Sequence, residues 1–134
     1  MNDTDDLTGV KVMVIDDSNT IRRSAEIFLT QSKCEIILAK DGFDAMAKII
    51  DTHPDVIFVD IMMPRLDGYQ TCTLIKRNSH FQSTPVIMLS SKDGLFDRAR
   101  GRMVGSDEYL TKPFTKESLI NAVQKYAFKR KATA

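Results

Sequence analysis

Three apolar runs along the chain each end on oxygen-bearing side chains. Val12-Met13-Val14-Ile15 leads into Asp16-Asp17, Val56-Ile57-Phe58-Val59 into Asp60, and Val86-Ile87-Met88-Leu89 into Ser90-Ser91. Apolar and polar residues do not alternate within them, so each reads as a strand covered on both faces, as in a parallel sheet. The middle run resumes after its carboxylate as Ile61-Met62-Met63 and closes at Pro64, ahead of Asp67-Gly68. Burying a charge in such a run is costly unless it is paired or liganded, which makes Asp60 the anomaly of the chain.

Between the runs the period changes from continuous to helical. After a first strand over Val10–Ile15, Ser18 and Asn19 are candidate N-caps for a helix carrying Ile21, Ala25, Phe28 and Leu29 on one face. Cys34–Ala39 reads as a second strand, and Asp41-Gly42 turns into a helix with Ala45, Met46, Ile49 and Ile50 on one side, stopped at His53-Pro54. A third helix from about Tyr69 to Asn78 buries Cys72 with Leu74 or Ile75, followed by a polar linker over Ser79–Thr84 and a strand opened by Pro85. Leu95–Val104 reads as a fourth helix stopped by Gly105, and Glu108–Leu110 as a fifth strand. Thr115 caps a last helix with Leu119, Ala122, Val123 and Tyr126 at helical spacing. Met13, Met46, Met88 and Met103 read as core filler.

Five strand-helix units in alternation predict an α/β fold: a doubly wound, five-stranded parallel sheet with helices on both faces. The flavodoxin-like order 2-1-3-4-5 sets the first and third strands side by side, so Asp16-Asp17 and Asp60 meet at the switch point beyond the strand ends. The expected organisation is an acidic lead-in over 1–9, one folded domain over 10–127 and a basic, frayed tail over 128–134.

Composition narrows the class. With 134 residues, 43% apolar and 28% charged, the chain suits one globular domain. The net charge of +1 conceals a split, −4 over residues 1–91 and +5 over 92–134. That split marks a basic surface on Arg98, Arg100, Arg102, Lys116 and Lys125 without the interleaved aromatics of a nucleic-acid stripe. Cys34 and Cys72 have no metal-ligand spacing and read as free thiols in a reducing compartment. Neither a signal-peptide pattern nor a window of about 20 apolar residues occurs, so the expected location is cytoplasmic, without membrane insertion. His53 and His80 read as solvated.

The clustered oxygens set the chemistry. Three carboxylates within a few ångströms raise one another's pKa, and a divalent cation relieves this. Mg²⁺ takes oxygen ligands, here Asp16, Asp17, Asp60 and a main-chain carbonyl for which Met62 is the natural donor. Lys112-Pro113-Phe114 follows the fifth strand and delivers an ammonium to the same edge, while Ser90 offers a hydroxyl. With that neutralisation Asp60 can act as a nucleophile toward phosphorus and become an acyl phosphate.

Taken together, Asp16-Asp17, Asp60 with Met62-Met63-Pro64 and Asp67-Gly68, Ser90, Tyr109 and Lys112-Pro113-Phe114 resemble the receiver domains of two-component response regulators. The resemblance spans about residues 10–127. It implies phosphorylation of Asp60 from a phosphohistidine, Mg²⁺ on Asp16, Asp17, Asp60 and the Met62 carbonyl, and a switch in which Ser90 moves and Tyr109 turns inward. The remodelled surface would be that of the fourth helix, fifth strand and fifth helix, where a downstream protein binds. The wording around the motifs, such as Thr20-Ile21-Arg22-Arg23 and Phe58 through Cys72, looks like regulators of type IV pilus chemotaxis systems. This implies a CheA-like sensor histidine kinase upstream, twitching motility downstream, no DNA partner, and only weak self-dephosphorylation rather than enzyme turnover. The family often has Thr where Ser90 stands, and Ser lacks the methyl that restricts the rotamer. A stand-alone phosphorelay intermediate or phosphate sink is the alternative. A haloacid-dehalogenase-type phosphatase fits less well, because Met62 stands where that class carries a second Asp.

Overall fold

The computed structural model describes residues 6–91 and 95–133, with side-chain surroundings for 6–91 and 97–127. Ten elements alternate strictly: β1 (Lys11–Ile15), α1 (Asn19–Gln31), β2 (Glu35–Ala39), α2 (Gly42–Thr52), β3 (Val56–Asp60), α3 (Gly68–Arg77), β4 (Val86–Ser90), α4 (Leu95–Met103), β5 (Glu108–Thr111) and α5 (Lys116–Thr133). The sheet is parallel throughout, in the order β2-β1-β3-β4-β5. This is the doubly wound arrangement that the alternation of strand and helix predicts.

The lack of alternation within the strands has a direct cause. All five residues of β3 and of β4 are buried, because helices cover both faces of the sheet centre. Val12 and Val14 of β1 point into one core layer with Val56, Phe58 and the Leu119, Ile120 and Val123 face of α5. Met13 and Ile15 point into the other, with Ile57, Val59 and the α2–α3 residues Ala45, Ile49, Cys72 and Ile75. Burying an aliphatic or aromatic side chain of this size contributes about 1.5–3 kcal/mol, so the two layers supply most of the driving force.

Helix starts follow the capping chemistry. Ser18, not Asn19, caps α1 by accepting from the Ile21 N–H, and Asp41 caps α2 by accepting from the Asp44 N–H. The Thr115 hydroxyl accepts from the Ser118 N–H at the start of α5. Asp67 and Gln70 form a reciprocal capping box at α3.

Several expectations are corrected. Ile50 is 60% exposed, because α2 turns Ala45 and Ile49 to the sheet and Ile50 lies about 100° round the helix from Ile49. Met103 is 86% exposed and is not core filler. The inward position on α4 is Gly101, where an added Cβ would lie 3.7 Å from Met88 Cγ, so α4 approaches the sheet closely there. At α3 the buried choice is Ile75, with Leu74 exposed. The linker after α3 carries a buried aromatic, Phe81, and the acidic lead-in carries Leu7, whose N–H donates to the Ser32 carbonyl while its side chain joins the core. The last helix continues to Thr133 where a frayed tail is expected. Cys34 and Cys72 are free thiols as read, and burial pushes both up to about 11.

Candidate functional site

The parallel register assembles the site at one end of the sheet. Ile15 pairs with Val59, which places Asp16 next to Asp60, and Asp60 in turn pairs with Leu89. Ser90 pairs with Thr111, so the residue after β5, Lys112, reaches the same edge and its N–H donates to the Ser90 carbonyl at 2.7 Å. The ends of β1, β3, β4 and β5 thus lie together at this edge.

Asp16, Asp17 and Asp60 each bring a carboxylate oxygen to within 4.8 Å of the others. Asp16 and Asp60 are buried, the latter 3% exposed, while Asp17 stands at the open side. The Lys112 ammonium bridges the two buried groups, 3.2 Å from Asp16 Oδ2 and 3.1 Å from Asp60 Oδ1. Asp16 Oδ1 also accepts from the Ser18 N–H at 2.9 Å, and Asp60 Oδ1 from the Met62 N–H at 3.3 Å.

One ammonium does not neutralise three carboxylates. Burial, followed by the charge of Asp16, pushes Asp60 up to about 6 against the pull of Lys112. For Lys112, burial works to lower the pKa, but its hydrogen bond to Asp60 and the charges of Asp16 and Asp60 outweigh this and raise it. The donor set is entirely oxygen, carries excess negative charge and is open at Asp17, which fits a hard divalent cation such as Mg²⁺.

Ser90 is buried at the end of β4 beside this cluster. Tyr109 lies on β5 opposite Met88, half-buried against the α2–α3 core layer, and the Arg98 guanidinium sits 4.9 Å above its ring. It is not part of the acidic cluster. The Met62 side chain is 73% exposed beside Asp60, leaving only its backbone to the site. Lys92, two residues beyond Ser90 in the chain, lies outside the described residues.

Two contributors carry no sequence signal of this role. Arg22 of α1 donates to the Asp16 backbone carbonyl and to Asn19, holding the turn that presents Asp16 and Asp17. Gly68 reads as a helix entry, but its Cα presses on the end of β3: a Cβ there would lie 2.4 Å from the Asp60 carbonyl oxygen and 2.7 Å from Ile61 Cα. Gly68→Ala is therefore expected to lower stability by about 1–3 kcal/mol, since backbone must shift to admit the methyl. A urea midpoint equal to wild type would show that the contact yields freely.

The family model for the response regulator receiver domain matches residues 12–124. The chain belongs to that family. Among its relatives this receiver is 73% identical to Protein PilG of Pseudomonas aeruginosa over 116 residues, covering 87% of this chain and 86% of that protein. It is 34% identical to the response regulator MprA of Mycobacterium over 111 residues, 83% of this receiver but 47% of that longer protein. Among solved structures, chemotaxis protein CheY4 of Vibrio cholerae superposes with a TM-score of 0.84 at 32% identity, covering 87% of this chain and 98% of that one. The Francisella response regulator 1452 receiver domain does so with a TM-score of 0.83 at 34% identity, covering 90% and 98%. Receivers of this family are signalling phosphoacceptors rather than turnover enzymes, and they generally bind Mg²⁺ in an acidic pocket such as the one formed here by Asp16, Asp17 and Asp60.

Proposed function

We propose that residues 10–127 form a receiver unit phosphorylated on Asp60 by a CheA-like histidine kinase, acting in control of type IV pilus twitching motility. The observation that carries the acceptor assignment is the Asp60 carboxylate at the end of the central strand, held by Lys112 at 3.1 Å in a cluster with Asp16 and Asp17. The pilus assignment rests on the likeness to Protein PilG.

In this reading Asp16, Asp17, Asp60 and the Met62 carbonyl hold Mg²⁺, which supplies charge neutralisation for the phosphoryl oxygens. The ionised Asp60 oxygen attacks phosphorus, the P–N bond of the phosphohistidine breaks, and the imidazole leaves and takes a proton from water. The product is an acyl phosphate on Asp60. Lys112 gives up its hold on Asp60 to pair with the new phosphoryl oxygens, and the Ser90 hydroxyl donates to one of them. Tyr109 then turns inward behind Ser90, away from Arg98. Water hydrolyses the acyl phosphate slowly.

The output surface is the α4–β5–α5 face, and its target is a protein rather than DNA. A groove of about 250 Å³ there is lined by Arg98, Arg102, Ser106, Asp107, Glu108 and Tyr109. Its acids are already engaged: Asp107 by Lys76 at 2.9 Å, and Glu108 by Lys125 at 3.2 Å and the Tyr126 hydroxyl at 3.1 Å. Arg102 is exposed on the same groove and gives it a basic contact, which suits an acidic protein segment.

Transfer from a radiolabelled CheA-like kinase separates this reading from its rival. Label should leave the kinase and accumulate on the chain for a switching regulator. Label lost from the kinase without accumulating on the chain would show a phosphate sink.

A further inference from the structure

Tyr69 joins the acceptor strand to α4. On one side its neighbour Gly68 lies against the Asp60 and Ile61 backbone, and the Gly68 N–H donates to the Ile61 carbonyl at 3.0 Å. Any displacement of the strand end beyond Asp60 must therefore move the first turn of α3, since there is no slack at Gly68. On the other side the Tyr69 ring is buried, and its hydroxyl reaches across to α4, 3.3 Å from Asp97 Oδ1 and 3.4 Å from the Asp97 carbonyl. The Arg100 guanidinium covers the same ring at 4.2 Å. Burial and then the charge of Asp97 push the Tyr69 phenol up to about 12, so it stays a proton donor at neutral pH.

A second, parallel arrangement lies on β5, where Arg98 of the same helix covers Tyr109 at 4.9 Å. The start of α4 is thus gripped by two tyrosines, one rooted beside Asp60 and one in β5. Among the described residues of α4, Asp97, Arg98 and Arg100 all take part in these grips. The inward position among the described residues of the helix is Gly101, which has no side chain to bury.

We propose that Tyr69 is a positioning residue that transmits the state of Asp60 to α4, through Gly68 at one end and Asp97 and Arg100 at the other. The proposal rests on Asp60 being the phosphoacceptor. Tyr69 hydrogen-bonds to Asp97 and to none of Asp16, Asp17, Asp60 or Lys112; it fixes where α4 lies while Asp60 is unmodified, and releases or re-seats it when the strand end shifts.

The test is hydrogen–deuterium exchange of the α4 amides in the full chain, with and without acetyl phosphate and Mg²⁺, for wild type, Tyr69→Phe and Asp97→Asn. Intact mass is read on the same samples. Losing the hydroxyl should speed α4 exchange in the unphosphorylated protein by about 2- to 10-fold, the effect of one hydrogen bond on local opening. The further change on phosphorylation should shrink by a similar factor, while β3 and β4 amides stay as in wild type. Asp97→Asn keeps an acceptor and should behave like wild type. Exchange in α4 unchanged in both states, or faster by the same factor in both, overturns the proposal, the second result marking a purely structural contact. Should Tyr69→Phe fail to fold, Arg100→Met removes the ring cover from an exposed position and must shrink the phosphorylation-dependent change; no shrinkage overturns the proposal equally. Wild type that gains no phosphoryl mass instead refutes the acceptor assignment, and the coupling falls with it.

Discussion

Lys112→Ala should leave the secondary structure intact but lower the stability of the metal-free protein by about 3 kcal/mol, the low end of the range for breaking a buried ion pair. The reason is what remains behind. Lys112 is the only cation the structure places within ion-pair distance of Asp16 and Asp60 among the described residues, and both carboxylates are buried. Asp60 escapes part of the penalty by taking up a proton, which it does readily because it is already pushed up to about 6. Urea unfolding in EDTA at neutral pH should show a midpoint lower by about 1–2 M. Added Mg²⁺ should restore much of the loss by binding the folded state alone. A midpoint matching wild type in EDTA would mean that Lys112 does not compensate this cluster. In the proposed mechanism the same variant also loses the phosphate-dependent change in partner affinity, since no ammonium would remain to leave Asp60 for the phosphoryl group.

Removing the anion should do the opposite. Asp60→Asn keeps an oxygen to accept from Lys112 and from the Met62 N–H, and it abolishes repulsion with Asp16. A carboxyl held at about 6 in the folded protein against 3.8 when unfolded destabilises the fold at neutral pH. Linkage sets the ceiling of that effect at about 3 kcal/mol. That shift is already net of the attraction to Lys112, so with the amide a poorer acceptor than the carboxylate a gain of about 1–2 kcal/mol is expected, or a Tm higher by roughly 3–8 °C. The pH dependence has a definite sign. Because the folded pKa is raised, the folded state binds more protons between about pH 4 and 6, so wild type loses stability as pH rises through that window. The advantage of Asp60→Asn should therefore be full above about pH 6 and vanish near pH 4. An advantage that persists undiminished at pH 4, or a less stable variant at pH 7.5 in EDTA, would contradict the electrostatic description of the site.

The parts of the molecule that were legible in the chain are those encoded locally. Strand runs buried on both faces show no alternation, and β1, β3 and β4 appear with their terminal oxygens in place. Given the doubly wound order, Asp16, Asp17, Asp60, Ser90 and Lys112 must share one edge, and they do. What was not legible depends on neighbours distant in sequence. Phe81 is a single aromatic among polar residues and Leu7 a single aliphatic among acids, so neither creates a period, yet both are buried by elements elsewhere. Ile50 and Met103 fit a helical spacing but fall just outside the arc that meets the sheet. Gly68 reads as a turn residue because nothing in its surroundings reveals that the Asp60 carbonyl lies where a Cβ would be. Tyr69 meets Asp97 across 28 positions, a contact that only the folded chain defines. Sequence places Tyr109 on its strand, whereas its partnership with Arg98 depends on how α4 docks.

The central claim, that Asp60 accepts a phosphoryl group in an acidic, metal-assisted site, is tested most directly by intact mass after incubation with acetyl phosphate. Wild type and Asp60→Asn are compared with Mg²⁺ and with EDTA. The expected result is a gain of about 80 Da, one phosphoryl group, in wild type with Mg²⁺ and in no other sample. The same gain on Asp60→Asn would place the acceptor elsewhere, and no gain on wild type with Mg²⁺ would contradict the assignment of this site as a phosphoacceptor.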